Sequence, residues 1–145
     1  MKLKLLEDKN IKEVLVSITY GVYDKRIQKI VDIVEGNGLQ LKGTIDDHEY
    51  TVASGEIFYI ETLENKTFIY TEQKVLESKM KLYKLEKILG ETSFVRISKS
   101  VLLNMNELDS VRPLQNYRLE ANLKNGEKLV INRHYIQRVK EYLNL

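Results

Sequence analysis

A chain of 145 residues, 43% hydrophobic and 30% charged, is of a size for one domain or one domain with a small annex, and it can bury a core. One proline and no cysteine exclude linker-rich designs, disulfide scaffolds, thiolate zinc sites, iron–sulfur clusters and cysteine nucleophiles. The net charge of +2 is uneven, because residues 96–145 hold nine Lys/Arg against five Asp/Glu on an otherwise near-neutral body, and this points toward a polyanionic partner.

The start, MKLKLLEDKN, is not a signal peptide, because Glu7 and Asp8 cut its apolar stretch short. No apolar run approaches the ~18–20 residues that cross a bilayer, so a soluble cytoplasmic protein without a membrane partner is expected. Lys2–Leu6 and Glu13–Thr19 read as strands, the second alternating Val14, Val16 and Ile18 with Leu15, Ser17 and Thr19. Asp24 is placed to cap a helix through Glu35, with Ile27, Ile30, Val31 and Val34 on one stripe. Gly36-Asn37-Gly38 follows as its stop. A dinucleotide-binding glycine loop would precede a helix, whereas this one comes after.

From Leu39 short strands dominate: Leu39–Ile45, Glu49–Val52, Ile57–Leu63, Thr67–Thr71 and Val75–Ser78. Glu64-Asn65-Lys66 is a tight turn in which Asn65 can take a positive φ. A helix over Lys79–Leu89 interrupts, stopped by Gly90. Strands resume at Phe94–Ile97, Leu102–Asn104, Tyr117–Leu123 and Lys128–Asn132. Asn125-Gly126 predicts a type I′ hairpin, and His134–Leu143 a last helix with Ile136, Val139 and Leu143 inward.

Enzyme signatures fail along the same chain. His48 and His134 lie far apart with no carboxylate pattern for a metal. Ser78-Lys79-Met80-Lys81 fits the bare S-x-x-K pattern, but its companion motifs are missing. No acidic pair is marked as an acid/base couple. No catalytic residue, metal or cofactor is expected. What stands out is Phe94-Val95-Arg96-Ile97-Ser98-Lys99-Ser100-Val101-Leu102-Leu103-Asn104, where apolar Phe94 and Ile97 anchor a segment whose Arg96, Ser98, Lys99 and Ser100 are donors suited to phosphate oxygens, lysine also to guanine edges. Asn132-Arg133-His134 and the turn at Asn65-Lys66 are two smaller polar sets.

The order of these motifs resembles a LytTR domain, the β-rich DNA-binding domain of many bacterial transcription regulators. Ile57-Phe58-Tyr59-Ile60-Glu61 is similar to the family's opening strand I-x-Y-I-E. Phe94 to Asn104 follows F-x-R-x-S/H-x-S-x-x-V-N with Leu103 at the valine position. Asn132-Arg133-His134-Tyr135 matches the terminal S-R-x-Y with Asn132 for serine. Lys66 falls at the first-loop contact position and Lys99 between the two serines.

The resemblance implies a mainly β fold with short helices: stacked antiparallel sheets over residues 53–145, preceded by a small α+β extension over residues 1–52 that either dimerises the protein or finishes the core and protects a sheet edge. It further implies sequence-specific binding of double-stranded DNA by loops, for transcription regulation in a bacterium. Lys66, Lys99 and Arg133 would reach bases, while Arg96, Ser98, Ser100, Asn132 and His134 would hold phosphates or support. The implied partners are paired repeats in a promoter and a second copy of the chain. The alternative is an RNA- or protein-binding module using the same basic loop face; no RRM or KH signature is present.

Overall fold

The computed structural model describes residues 1–35, 39–90 and 92–144. Gly36-Asn37-Gly38 lies outside the described residues. Asp24 caps helix α1 (Lys25–Val34), its Oδ1 accepting the backbone N–H of Arg26 at 2.9 Å and of Ile27 at 3.3 Å. A hydrogen bond from the Arg26 side chain holds the Asp24 carboxyl below its usual range. The apolar stripe of α1 is only partly used. Ile27 is buried, Ile30 and Val31 are half-buried, and Val34 is exposed.

Ahead of α1 the expected strands do not form. Residues 1–24 have no regular structure, and nearly all their side chains face solvent. Period-two alternation encodes a face to bury, not the neighbour that buries it, and within one chain Lys2–Leu6 and Glu13–Thr19 have no strand beside them.

The β-rich body begins at Gln40. A seven-stranded sheet contains β1 (Gln40–Ile45), β2 (His48–Ala53), β3 (Ile57–Leu63), β4 (Lys66–Thr71), β5 (Val75–Ser78), β6 (Phe94–Arg96) and β7 (Val101–Asn104). Its order is β2-β1-β5-β4-β3-β7-β6, with every neighbour antiparallel. A three-stranded antiparallel sheet orders β8 (Leu108–Leu114), β9 (Arg118–Leu123) and β10 (Lys128–Ile131) as β10-β9-β8. Helix α2 (Leu82–Leu89) joins β5 to β6, and α3 (Ile136–Leu143) follows β10. The expected fold class, mainly β with short helices, is the one that forms. Its division after residue 52 is crossed by the sheet. β1 pairs with β5 at Thr44 opposite Glu77, and Leu41 and Val52 pack with Ile69 and Leu76. Gly43 allows that crossing, since a Cβ there would stand 2.6 Å from Leu76 Cβ.

Two cores lie on the two faces of the large sheet. On one face Leu82, Leu85 and Leu89 of α2 cover Ile57, Ile60, Ile69 and Leu102. On the other, Phe58, Tyr59, Val101 and Leu103 meet Ala121, Leu123 and Ile131 of the small sheet and Val139 of α3. A bulge between Ile57 and Tyr59 resets the alternation of β3, so that Ile57 and Ile60, three apart, share a face. Of the residues expected inward on α3, Val139 is buried, Ile136 half-buried and Leu143 exposed. Glu64 and Asn65 both take positive φ, 50° and 66°, the type I′ geometry. Asn125-Gly126 is a different hairpin from the expected one. Gly126 N–H donates to Leu123 O at 2.9 Å and only Gly126 has a positive φ, so the loop is a three-residue turn closed by a glycine bulge.

Between the two sheets the Tyr59 ring stacks on Tyr70 at 4.3 Å, and its hydroxyl donates to Glu127 Oε2 at 2.7 Å. Burial, then the hydrogen bond to Glu127 and the surrounding negative charge, push the Tyr59 hydroxyl well above the ordinary 10.0. The folded state therefore keeps this proton after the unfolded chain has lost it. Stability from Tyr59 is expected to be intact below pH ~10 and to fall as pH rises beyond it. Urea midpoints of wild type and Tyr59→Phe across pH 9–11 check this, since the variant should lose part of the alkaline decline.

Candidate nucleic-acid interface

Antiparallel connectivity brings the three polar sets to one end of the molecule. β3 runs toward that end and turns at Glu64-Asn65 into β4, which Lys66 opens. β6 runs to it and β7 leaves it, the intervening residues 97–100 forming a loop. β10 also arrives there and passes through Asn132 into the short helical turn Arg133–Tyr135. Backbone hydrogen bonds stitch the three together: Thr62 N–H donates to Ser100 O at 2.8 Å, and Asn132 N–H to Ile97 O at 2.9 Å. Ile97 N–H closes the loop onto Val101 O at 3.1 Å.

The candidate residues separate by exposure. Lys66, Lys99, Asn132, Arg133 and His134 are exposed, and Ser100 is half-buried. Ser98 is buried, its Oγ accepting from Ser100 N–H at 3.2 Å and lying 3.4 Å from Ser100 Oγ. Arg96 is drawn inward, with its side chain 17% exposed. Its Nε donates to Ser98 O at 2.8 Å, one terminal nitrogen donates to Lys99 O, and the other reaches Glu86 Oε2 at 2.7 Å. Arg96 thus braces the loop that presents Lys99. Its five donors in a rigid fork fit one carboxylate and two carbonyls together.

Sequence reasoning missed two features. Glu86 of α2 is the anchor of this bracing, and it also lies 3.9 Å from Arg138 of α3. Arg118 and Lys140 join Arg133 around a shallow hollow beside the exposed Tyr117 at the β8–β9 turn. The basic final third was the one sequence signal for Arg118, Arg138 and Lys140. Among the described residues no group of His, Cys, Asp and Glu could hold a metal, and no helix is long and apolar enough to cross a membrane.

A β sandwich that gathers exposed cations and amide donors on loops at one end offers a surface to a polyanion. The family model for the LytTr DNA-binding domain matches residues 47–144, and the chain belongs to that family. A solved structure, the LytTr DNA-binding domain of a putative methyl-accepting/DNA response regulator from Bacillus cereus, shares the fold with a TM-score of 0.69 and 22% identity, covering 73% of this chain and 97% of that one. The sensory transduction protein LytT of Enterococcus faecalis is 30% identical over 100 residues, 69% of this chain, and the match spans 41% of that protein's length. An uncharacterized HTH-type transcriptional regulator of Staphylococcus aureus is 25% identical over 147 residues, covering 100% of this chain and 99% of that protein. Strands separate α1, α2 and α3 in sequence, so among the described residues no two consecutive α-helices make a helix-turn-helix.

Proposed function

We propose that this chain regulates transcription by sequence-specific binding of double-stranded DNA, using the loops at the Lys66, Lys99 and Arg133 end. The observation that carries the reading is the hydrogen bonding of loop 97–101 to both Thr62 and Asn132, which fixes three exposed cations on one frame. Lys66, Lys99 and Arg133 reach base edges, and Arg133 suits a bidentate contact to a guanine. Ser100, Asn132 and His134 serve phosphates, while Arg96 and Ser98 shape the loop from within. The role is binding rather than catalysis, in the bacterial cytoplasm, and the active species is a homodimer on paired repeats.

Fluorescence anisotropy on the DNA upstream of its own gene, with an RNA duplex as competitor, tests the reading. Lys66, Lys99 and Arg133 enter grooves walled by phosphates and displace counterions there as phosphate contacts do, so six cations per dimer at ~0.9 each give an expected log–log salt slope of about −5. Affinity unchanged between low and physiological salt would separate these cations from DNA. Equal competition by RNA would favour an RNA-binding module.

A further inference from the structure

We propose that residues 13–19 form a strand completed by a second copy of the chain, paired antiparallel with the same residues across a two-fold axis at Val16. The proposal rests on the homodimer reading and supplies its contact. Among the described residues, nearly half of the exposed large hydrophobic side chains lie in the first 23, with Val14 at 91% and Leu15 at 80% exposure. Monomers seldom present so much apolar surface in one segment. A standard interface takes ~800 Å² from each partner, so Val14, Val16 and Ile18 need the further exposed apolar side chains of residues 1–23 and of α1 to complete it.

The sequence selects the occupant, because Glu13–Thr19 is self-complementary. With Val16 opposite Val16 of the partner subunit, Val14 meets Ile18, Leu15 meets Ser17 and Glu13 meets Thr19. All the β-branched apolar residues then share one face, and no like charges are opposed. A register centred on Leu15 would set Ile18 against Lys12, and one centred on Glu13 would oppose two carboxylates. A turn at Asp8–Ile11, with Asn10 N–H donating to Asp8 Oδ1 at 2.9 Å, separates this segment from Lys2–Leu6 and leaves its edges free. A two-fold axis makes such pairing isologous and closed.

The helix that follows the arm ends where a contact between copies leaves the DNA face open. Ile33 and Val34 at the end of α1 line a hollow with Ser54, Thr92, Asn106 and Lys124. These residues lie at the end of the sheets opposite Lys66, Lys99 and Arg133, since β3 starts beside Ser54 and β7 ends beside Asn106. Joined there, two copies each keep a complete loop set facing outward. The exposed Ile33 and Val34 and the half-buried Ile30 and Val31 of α1 supply the cover for the paired strands.

The chain has no cysteine, so single substitutions in the full-length protein report the register directly. Val16→Cys is expected to form a covalent dimer under mild oxidation, because directly opposed residues of an antiparallel pair stand ~4.5–5.5 Å apart, within disulfide range. Thr19→Cys alone should stay monomeric on a reducing-agent-free gel, its copy being ~20 Å away along the strand. A mixture of Glu13→Cys and Thr19→Cys should cross-link. Equal cross-linking of Val16→Cys and Thr19→Cys, or pairing of the arm with the β2 edge instead, seen as no Val16 self-link, overturns the register. Wild type that is monomeric by light scattering at 50 μM overturns the proposal entirely. Binding of a single half-site by that monomer would leave the DNA reading standing, whereas a cross-linked dimer that ignores DNA would remove the DNA reading alone.

Discussion

A chain shortened to begin at Ser54 is expected to lose its fold, while one beginning at Leu39 keeps it. The first cut removes β1 and β2, and with them Leu41 and Val52 from the core that α2 covers. Deleting one large apolar side chain from a core costs ~2–5 kcal/mol, and a whole domain is stable by only ~5–15 kcal/mol. The cut also strips β5 of its neighbour β1, leaving a bare sheet edge beside Leu76 and Ile69. The second cut keeps both strands and the bond from Ser54 N–H to Leu39 O at 2.8 Å, and costs the body one buried side chain, Ile27. Thermal melts followed by near-ultraviolet circular dichroism decide between them. A cooperative transition in the Ser54 fragment would show that β1 and β2 are dispensable. A molten Leu39 fragment would show that the α1 segment belongs to the core.

The body from Leu39 was legible because alternation, turn residues and the motif order agreed there, down to the Glu64-Asn65 turn. β8 was not. Its Asp109, Ser110, Arg112 and Pro113 leave no period-two signal, because it is an edge strand whose interior side chains are all exposed. The N-terminal strands erred the other way, since their alternation was clear but no neighbour lies in the same chain. At the site, the loops were readable and the division of labour within the motif was not. Asn104, its last residue, is buried. Its Nδ2 donates to Ile57 O at 2.8 Å and its Oδ1 accepts from Ser93 Oγ at 2.6 Å, so it ties β7 to the start of β3 and to the segment before β6. Phe94 and Ile97 are core. Much of a pattern that looks like a binding motif is therefore architecture, and only burial distinguishes the two.

Arg96→Ala and Arg133→Ala are expected to fail in different ways. Arg133 is exposed, and no hydrogen bond or ion pair from its side chain holds the loops together. Its removal should leave the melting temperature near wild type and cost ~1–3 kcal/mol of specific affinity, with a much smaller loss on random DNA. Arg96 holds Glu86, Ser98 O and Lys99 O at once. Losing hydrogen bonds to a charged group costs about 1.5–3 kcal/mol of stability. The ~3–5 kcal/mol of a fully buried pair is not reached, because Glu86 keeps 36% of its side chain exposed and Arg138 stands 3.9 Å away as a second cation. Without the brace, Lys99 loses its fixed presentation, so specific binding should weaken more than random binding, and with it the melting temperature should fall. Arg96→Lys separates charge from geometry: an ammonium keeps the charge near Glu86 but lacks the planar fork that spans two carbonyls. Its affinity should stay below wild type while its stability partly recovers. Selective loss of specific binding in Arg96→Ala with an unchanged melting temperature would make Arg96 itself a base reader, and the bracing role would fall.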